Sequence, residues 1–240
     1  MSQVTPTERQ AIPAPESMQN CATRVVASTL GILAGLLGLV HGYLETRQGN
    51  AAPSGIFILA VGPPCQANRV WHSCFPAMTI IPNFFATGVL AIIVSLIIIL
   101  WAAAFVQGQY SGLFLILLSI IQLLVGGGFI SPELGIIAGV VGTRIQVPFT
   151  WWRAQLSVHS RRLLATLWPW SLFAFGFCLA GYGILGYFFN EFMLSLALLP
   201  LFFTLGLLLL AVLTVLTILT GFAYDIQRQT NSHQAPAVSR

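Results

Sequence analysis

An all-α integral membrane protein with about six transmembrane helices is the fold class this sequence predicts, and three observations predict it. First, 57% of the 240 residues are hydrophobic and only 7% are charged, with a mean hydropathy of +0.86. Soluble domains carry roughly 25% charged residues. Second, several apolar runs reach the ~20 residues that ~30 Å of hydrocarbon requires. Third, the cations are segregated. All ten basic residues are arginines, and a six-span threading puts eight of them on one side and only Arg47 and Arg69 on the other. Such a bias marks the cytoplasmic face. The net charge of +4 therefore reports topology, and nucleic acid is not an expected partner. The sequence has no Gly-rich phosphate loop, His-Glu-x-x-His or Cys-x-x-Cys. That argues against an ATP-driven motor and a zinc hydrolase of the usual kind.

Residues 1–22 read as a disordered cytoplasmic tail, polar and broken by Pro6, Pro13 and Pro15. A single helical membrane domain follows over 23–224, with spans near 25–44, 78–104, 112–130, 132–147, 164–189 and 193–222. Residues 225–240 form a second disordered tail. The first span reads as an uncleaved signal-anchor. Its Gly31, Gly35, Gly38 and Gly42 make one narrow stripe, which suits close helix packing in lipid. His41 and Glu45, at i and i+4, end that span as an ionisable pair, the kind of feature that is functional by default inside a membrane.

The outer loop, 45–77, holds Cys65 and Cys74, which would bridge if the loop faces an oxidising compartment. It also holds Trp71-His72 and the short apolar run Gly55–Val61, which could dip into the interface or cover the bundle mouth. Pro82 lies in the first turns of the second span, either starting or kinking it. Thr79, Asn83 and Thr87 recur there every four residues as a polar stripe. The third span carries Ser119 and Gln122, an amide that must find partners in hydrocarbon. It ends at Gly126-Gly127-Gly128, which would loosen the helix or admit a close neighbour.

Ser131-Pro132-Glu133 reads as a helix start, with Ser as N-cap, Pro at the first position and Glu complementing the dipole. The helix over 132–147 repeats the glycine stripe at Gly135, Gly139 and Gly142, and the two stripes could pack against each other. Its sixteen residues rise only ~24 Å, so it crosses a thinned bilayer or re-enters. Residues 148–163 mix aromatics with Arg153, Arg161 and Arg162 as an interfacial basic segment, and Phe149, Trp152, Leu156 and Leu163 share a helical face. A tight turn at Asn190-Glu191 would make the last two spans an antiparallel hairpin, the sixth span being broken or kinked at Pro200. Thr214, Thr217 and Gly221 share one face of the sixth.

Placing the arginine cluster inside requires the short fourth helix to cross, which puts both termini in the cytoplasm. The plasma membrane of a prokaryote is the expected location. The leading functional expectation is a structural or accessory membrane subunit whose glycine seams pack within itself, onto a membrane partner or onto a second copy. The alternative is a small transporter or channel-like protein using His41 and Glu45 at an outer vestibule, with Gln122 below and Glu133 nearby. A membrane metal or redox enzyme, using His41, Glu45 and His72, is the third reading. No catalytic residue, metal ligand set or cofactor is assigned, and an enzyme is disfavoured.

Overall fold

A computed structural model of the protein describes residues 20–59, 76–108, 110–195 and 198–234. The chain is mostly helical. Among the described residues, four helices are long and apolar enough to cross a membrane, and two shorter apolar helices lie between them. In chain order the helices are α1 (Cys21–Thr46), α2 (Phe84–Leu100), α3 (Ser111–Leu124), α4 (Ile130–Gly142), α5 (Thr150–Gln155), α6 (Val158–Ser195) and α7 (Leu199–Gln234). A π-helical turn, Trp101–Phe105, ends α2. The wider turn frees the Ala102 carbonyl, which accepts a 2.7 Å hydrogen bond from the Ser28 hydroxyl of α1.

The helices form two groups. α1 packs against α2 and α4, and α3 packs against α4, giving a four-helix unit. α6 and α7 form a long antiparallel hairpin that meets the unit through α1 and α7. A small element departs from the all-α expectation. Within the apolar run of the outer loop, β1 (Phe57–Leu59) pairs antiparallel with β2 (Pro76–Met78), Ile58 facing Ala77. The pairing extends past β2: Thr79 bridges Val125, and Gly126 N–H donates to Met78 O at 2.9 Å. The hairpin is thus tied to the loop between α3 and α4.

Several boundaries differ from the sequence reading. Asn83, outside the helix, caps α2 by accepting from Ala86 N–H at 3.0 Å, so Pro82 precedes the helix and does not kink it. Only Thr87 of the expected polar stripe is helical, although the Thr79 and Thr87 hydroxyls still meet at 3.0 Å. α3 stops at Leu124 because Gly126 and Gly128 take positive φ, 89° and 82°, a conformation open to glycine and costly elsewhere. α4 begins at Ile130, so Ser131 is not its cap; its hydroxyl donates across to Ala34 O of α1 at 2.6 Å. No turn occurs at Asn190-Glu191, where α6 continues to Ser195. Pro200 lies in the first turn of α7, where a missing N–H is tolerated, and breaks nothing. The interfacial segment divides between α5 and the start of α6, with Leu156 extended between them, so the four-residue face drawn through Leu163 is not one continuous helical face.

Helix reaches into both segments that the sequence reads as tails. α1 starts at Cys21 and α7 runs through Gln234, because this end of the bundle is closed by a buried polar knot. Asp225 of α7 is 2% exposed and caps α1 from outside its own chain segment. Its Oδ1 accepts from Ala22 N–H at 3.0 Å, and its Oδ2 accepts from Thr23 N–H at 2.8 Å and from the Thr23 hydroxyl at 2.7 Å. These satisfy N–H groups that a helix start leaves unpaired. Asn20 completes the knot, donating to Arg144 O at 2.8 Å and accepting from the Gln229 amide at 2.6 Å. The start of α1, the end of α4 and the end of α7 therefore lie together.

Candidate functional site

The glycine stripe of α1 faces α2. A methyl group at Gly31 would fall 2.7 Å from Ala102 Cβ, and one at Gly35 would fall 2.8 Å from Ser95 O. At Gly42 it would meet Gly88 O at 2.8 Å and Ile92 N at 2.9 Å. The stripe of α4 faces α3: Gly139 lies against Gly112 O, Gly142 against Gly112 Cα, and Gly135 against the Ser119 side chain. The two stripes are thus separate seams and do not pack on each other. Space left by small residues brings backbones together where burial alone gives no hydrophobic gain.

Polar side chains fill the gaps these seams leave. Gly38 makes room for Gln122 and for the Ser95 hydroxyl. The Gln122 amide nitrogen donates to Ser95 Oγ at 2.8 Å and approaches Ala34 O at 3.5 Å, while its buried Oε1 has no hydrogen-bond partner. One turn and more above, Glu45 is 0% exposed and neither carboxylate oxygen has a hydrogen-bond partner. An ionised carboxylate buried without compensation costs several kcal/mol. These oxygens call for a proton or a cation as their partner.

The roof of this site is the Gly126-Gly127-Gly128 loop. A side chain at Gly126 would strike both Glu45 oxygens, one at Gly127 would strike Gln122, and one at Gly128 would meet His41 Nε2 at 2.5 Å. Three consecutive glycines thus cover three polar side chains in turn. The β-hairpin holds this loop through Thr79 and Met78, and Thr87 touches it beside Glu45.

Of the four polar residues picked out in the sequence, the loop brings His41, Glu45 and Gln122 together. Glu133 lies elsewhere, exposed at a groove of about 490 Å³ lined by Leu37, Leu134, Phe175 and Leu179. Arg153 donates to the Thr230 hydroxyl at 3.0 Å, and Arg162 lines a second cleft with Arg228. The expected bridge, Cys65–Cys74, and His72 of the metal-enzyme reading lie outside the described residues. Among the described residues, no three His, Cys, Asp or Glu side chains gather as metal ligands. Sequence reasoning missed Ser95, Gly88 and Gly112, which carry no signal beyond a small residue in an apolar run. It also missed Asp225, whose signal was present: it continues the Thr214, Thr217, Gly221 face by four more residues.

No protein-family model matches the chain, no curated protein matches it in sequence, and no solved structure matches it.

Proposed function

We propose that the protein is a small transporter or channel-like membrane protein in which Glu45 binds a proton or a monovalent cation. The observation that carries this is a carboxyl with both oxygens buried and unpartnered at one end of a close-packed bundle. A purely structural residue at this position would be expected to bring its own partner, as Asp225 does at the opposite end. His41 and Gln122, which meet the same glycine loop at Gly128 and Gly127, are the further candidate proton or cation ligands. Dicyclohexylcarbodiimide, which attacks protonated carboxyls in apolar sites, tests the reading by mass spectrometry. Glu45 is modified, and alkaline pH or an alkali cation slows the modification. A rate indifferent to both removes the site.

This reading includes six crossings, both termini in the cytoplasm, and the plasma membrane of a prokaryote. Two contacts support it. Asn20 and Gln229 meet, so the first and last long helices begin and end on one side. Gly112 near the start of α3 lies against Gly142 at the end of α4, close to where Asn20 reaches Arg144 O, which favours an even number of crossings.

A structural or accessory subunit is the second reading. The exposed aromatic surface of α6, with Phe173 and Phe177 each 68% exposed, favours it, since that face is available to lipid, to a membrane partner or to a second copy.

A further inference from the structure

The structure assigns a phosphate-binding cleft for an anionic phospholipid headgroup to the end of α6 and α7 nearest Asp225. Arg162 and Thr166 occupy successive turns of α6. Across from them, Tyr224, Gln227, Arg228 and Asn231 fall at i, i+3, i+4 and i+7 on one face of α7. The two faces line an open cleft of about 520 Å³ with two arginines and two side-chain amides and without a carboxylate among the lining residues. Asp225, the nearest acid on α7, has its oxygens engaged by Ala22 and Thr23; it also attracts Arg228, whose side chain is in addition hydrogen-bonded to Cys21. Guanidinium groups hold phosphate oxygens through paired, charge-assisted hydrogen bonds, and basic pockets between membrane helices suit anionic headgroups.

Two features favour a lipid over a soluble phosphate. Exposed Leu163 and Leu167 lie one position further round α6 from Arg162 and Thr166, providing an apolar track for an acyl chain. Trp168, tilted against Tyr224 with ring centroids 4.9 Å apart, and exposed Trp170 lie ~9–12 Å along the helix, the rise of six to eight residues. That places the arginines at headgroup level below an aromatic belt. The sequence showed Arg162 as one of several interfacial cations; the continuation of α7 through its supposed tail supplies the other wall.

The experiment uses the full chain in a neutral detergent, titrated with dioctanoyl-phosphatidylglycerol, dioctanoyl-phosphatidylcholine and inorganic phosphate, and read by native mass spectrometry and melting temperature. Phosphatidylglycerol binds at least tenfold more tightly than either of the others. Arg162→Gln with Arg228→Gln lowers its affinity to that of phosphatidylcholine, while Arg47→Gln leaves it unchanged. Asn231→Asp, which places a carboxylate in the cleft, weakens binding in the same direction should the double variant fail to fold. The assignment is overturned by equal binding of phosphatidylcholine, by inorganic phosphate binding as tightly as the lipid, or by cleft variants that retain wild-type affinity.

Discussion

The four-helix unit and the α6–α7 hairpin are equally apolar in sequence and are held by different means. In the two long helices of the unit, 44% and 33% of the best membrane window is buried; in the hairpin the share is 11% for each helix. The unit is knit by backbone approaching backbone at Gly42 and Gly88 and at Gly139 and Gly112. The hairpin is joined by side chains: Tyr182 lies against Gly206, and the Ser171 and Thr220 hydroxyls meet at 2.7 Å. The difference teaches that glycine has no single meaning in a membrane helix. Gly31, Gly35, Gly38 and Gly42 are filled against by neighbours, whereas Gly176, Gly181 and Gly183 have nothing within 4 Å of where a side chain would stand. A rigid unit can hold a carboxyl in a fixed, dry position; an open hairpin suits lipid.

The comparison breaks most visibly through the unit's glycines. Gly42→Leu drives a bulky side chain into the Gly88 carbonyl and the Ile92 backbone. The expected cost is more than 3 kcal/mol, beyond the usual range for overpacking because the obstruction is main chain. Thermal unfolding in detergent reads it as loss of the folded protein. Gly126→Val is expected to be comparably severe, since φ of 89° and the Glu45 oxygens oppose it together. Next in size is Asp225→Ala. It leaves the Ala22 and Thr23 N–H groups unpaired in a buried place and is expected to cost about 1–3 kcal/mol. Hydrogen exchange at the first turn of α1 rises with it.

The hairpin gives the small effects. Ser171→Ala removes one interhelical hydroxyl pair and is expected to cost about 0.6 kcal/mol. Gly176→Ala, which meets open space in mid-helix, is expected to be neutral or to stabilise by up to about 1 kcal/mol. Equal losses at Gly42 and Gly176 would erase the distinction between the two regions.

The sequence made the membrane class, the apolar runs and the glycine periodicity legible, because hydropathy and 3.6-residue spacing are local properties. His41, Glu45 and Gln122 could be singled out for the same reason: each is polar in an apolar run. Their convergence was not legible, since it depends on where three glycines abandon the helix, and a Gly-Gly-Gly run reads equally as a loosened turn or a packed one. Which seam faces which partner was hidden too. Gly88 and Gly112 are lone glycines, with no stripe to announce them. The knot at Asn20 and Asp225 was lost because a polar segment flanking an apolar run resembles a tail: Asn20 gave no local sign of burial, and the one sign for Asp225 was its place on the Thr214, Thr217, Gly221 face.

The central claim, that Glu45 is the working carboxyl of the four-helix unit, is tested most directly by ion flux in reconstituted vesicles. Proton and alkali-cation flux is measured for wild type, Glu45→Gln and Glu133→Gln, with insertion checked by protease access. The account predicts wild-type flux above that of empty vesicles, reduced at least tenfold by Glu45→Gln and kept within twofold by Glu133→Gln. Flux unchanged in Glu45→Gln, or wild-type flux no greater than that of empty vesicles for every ion, would contradict it.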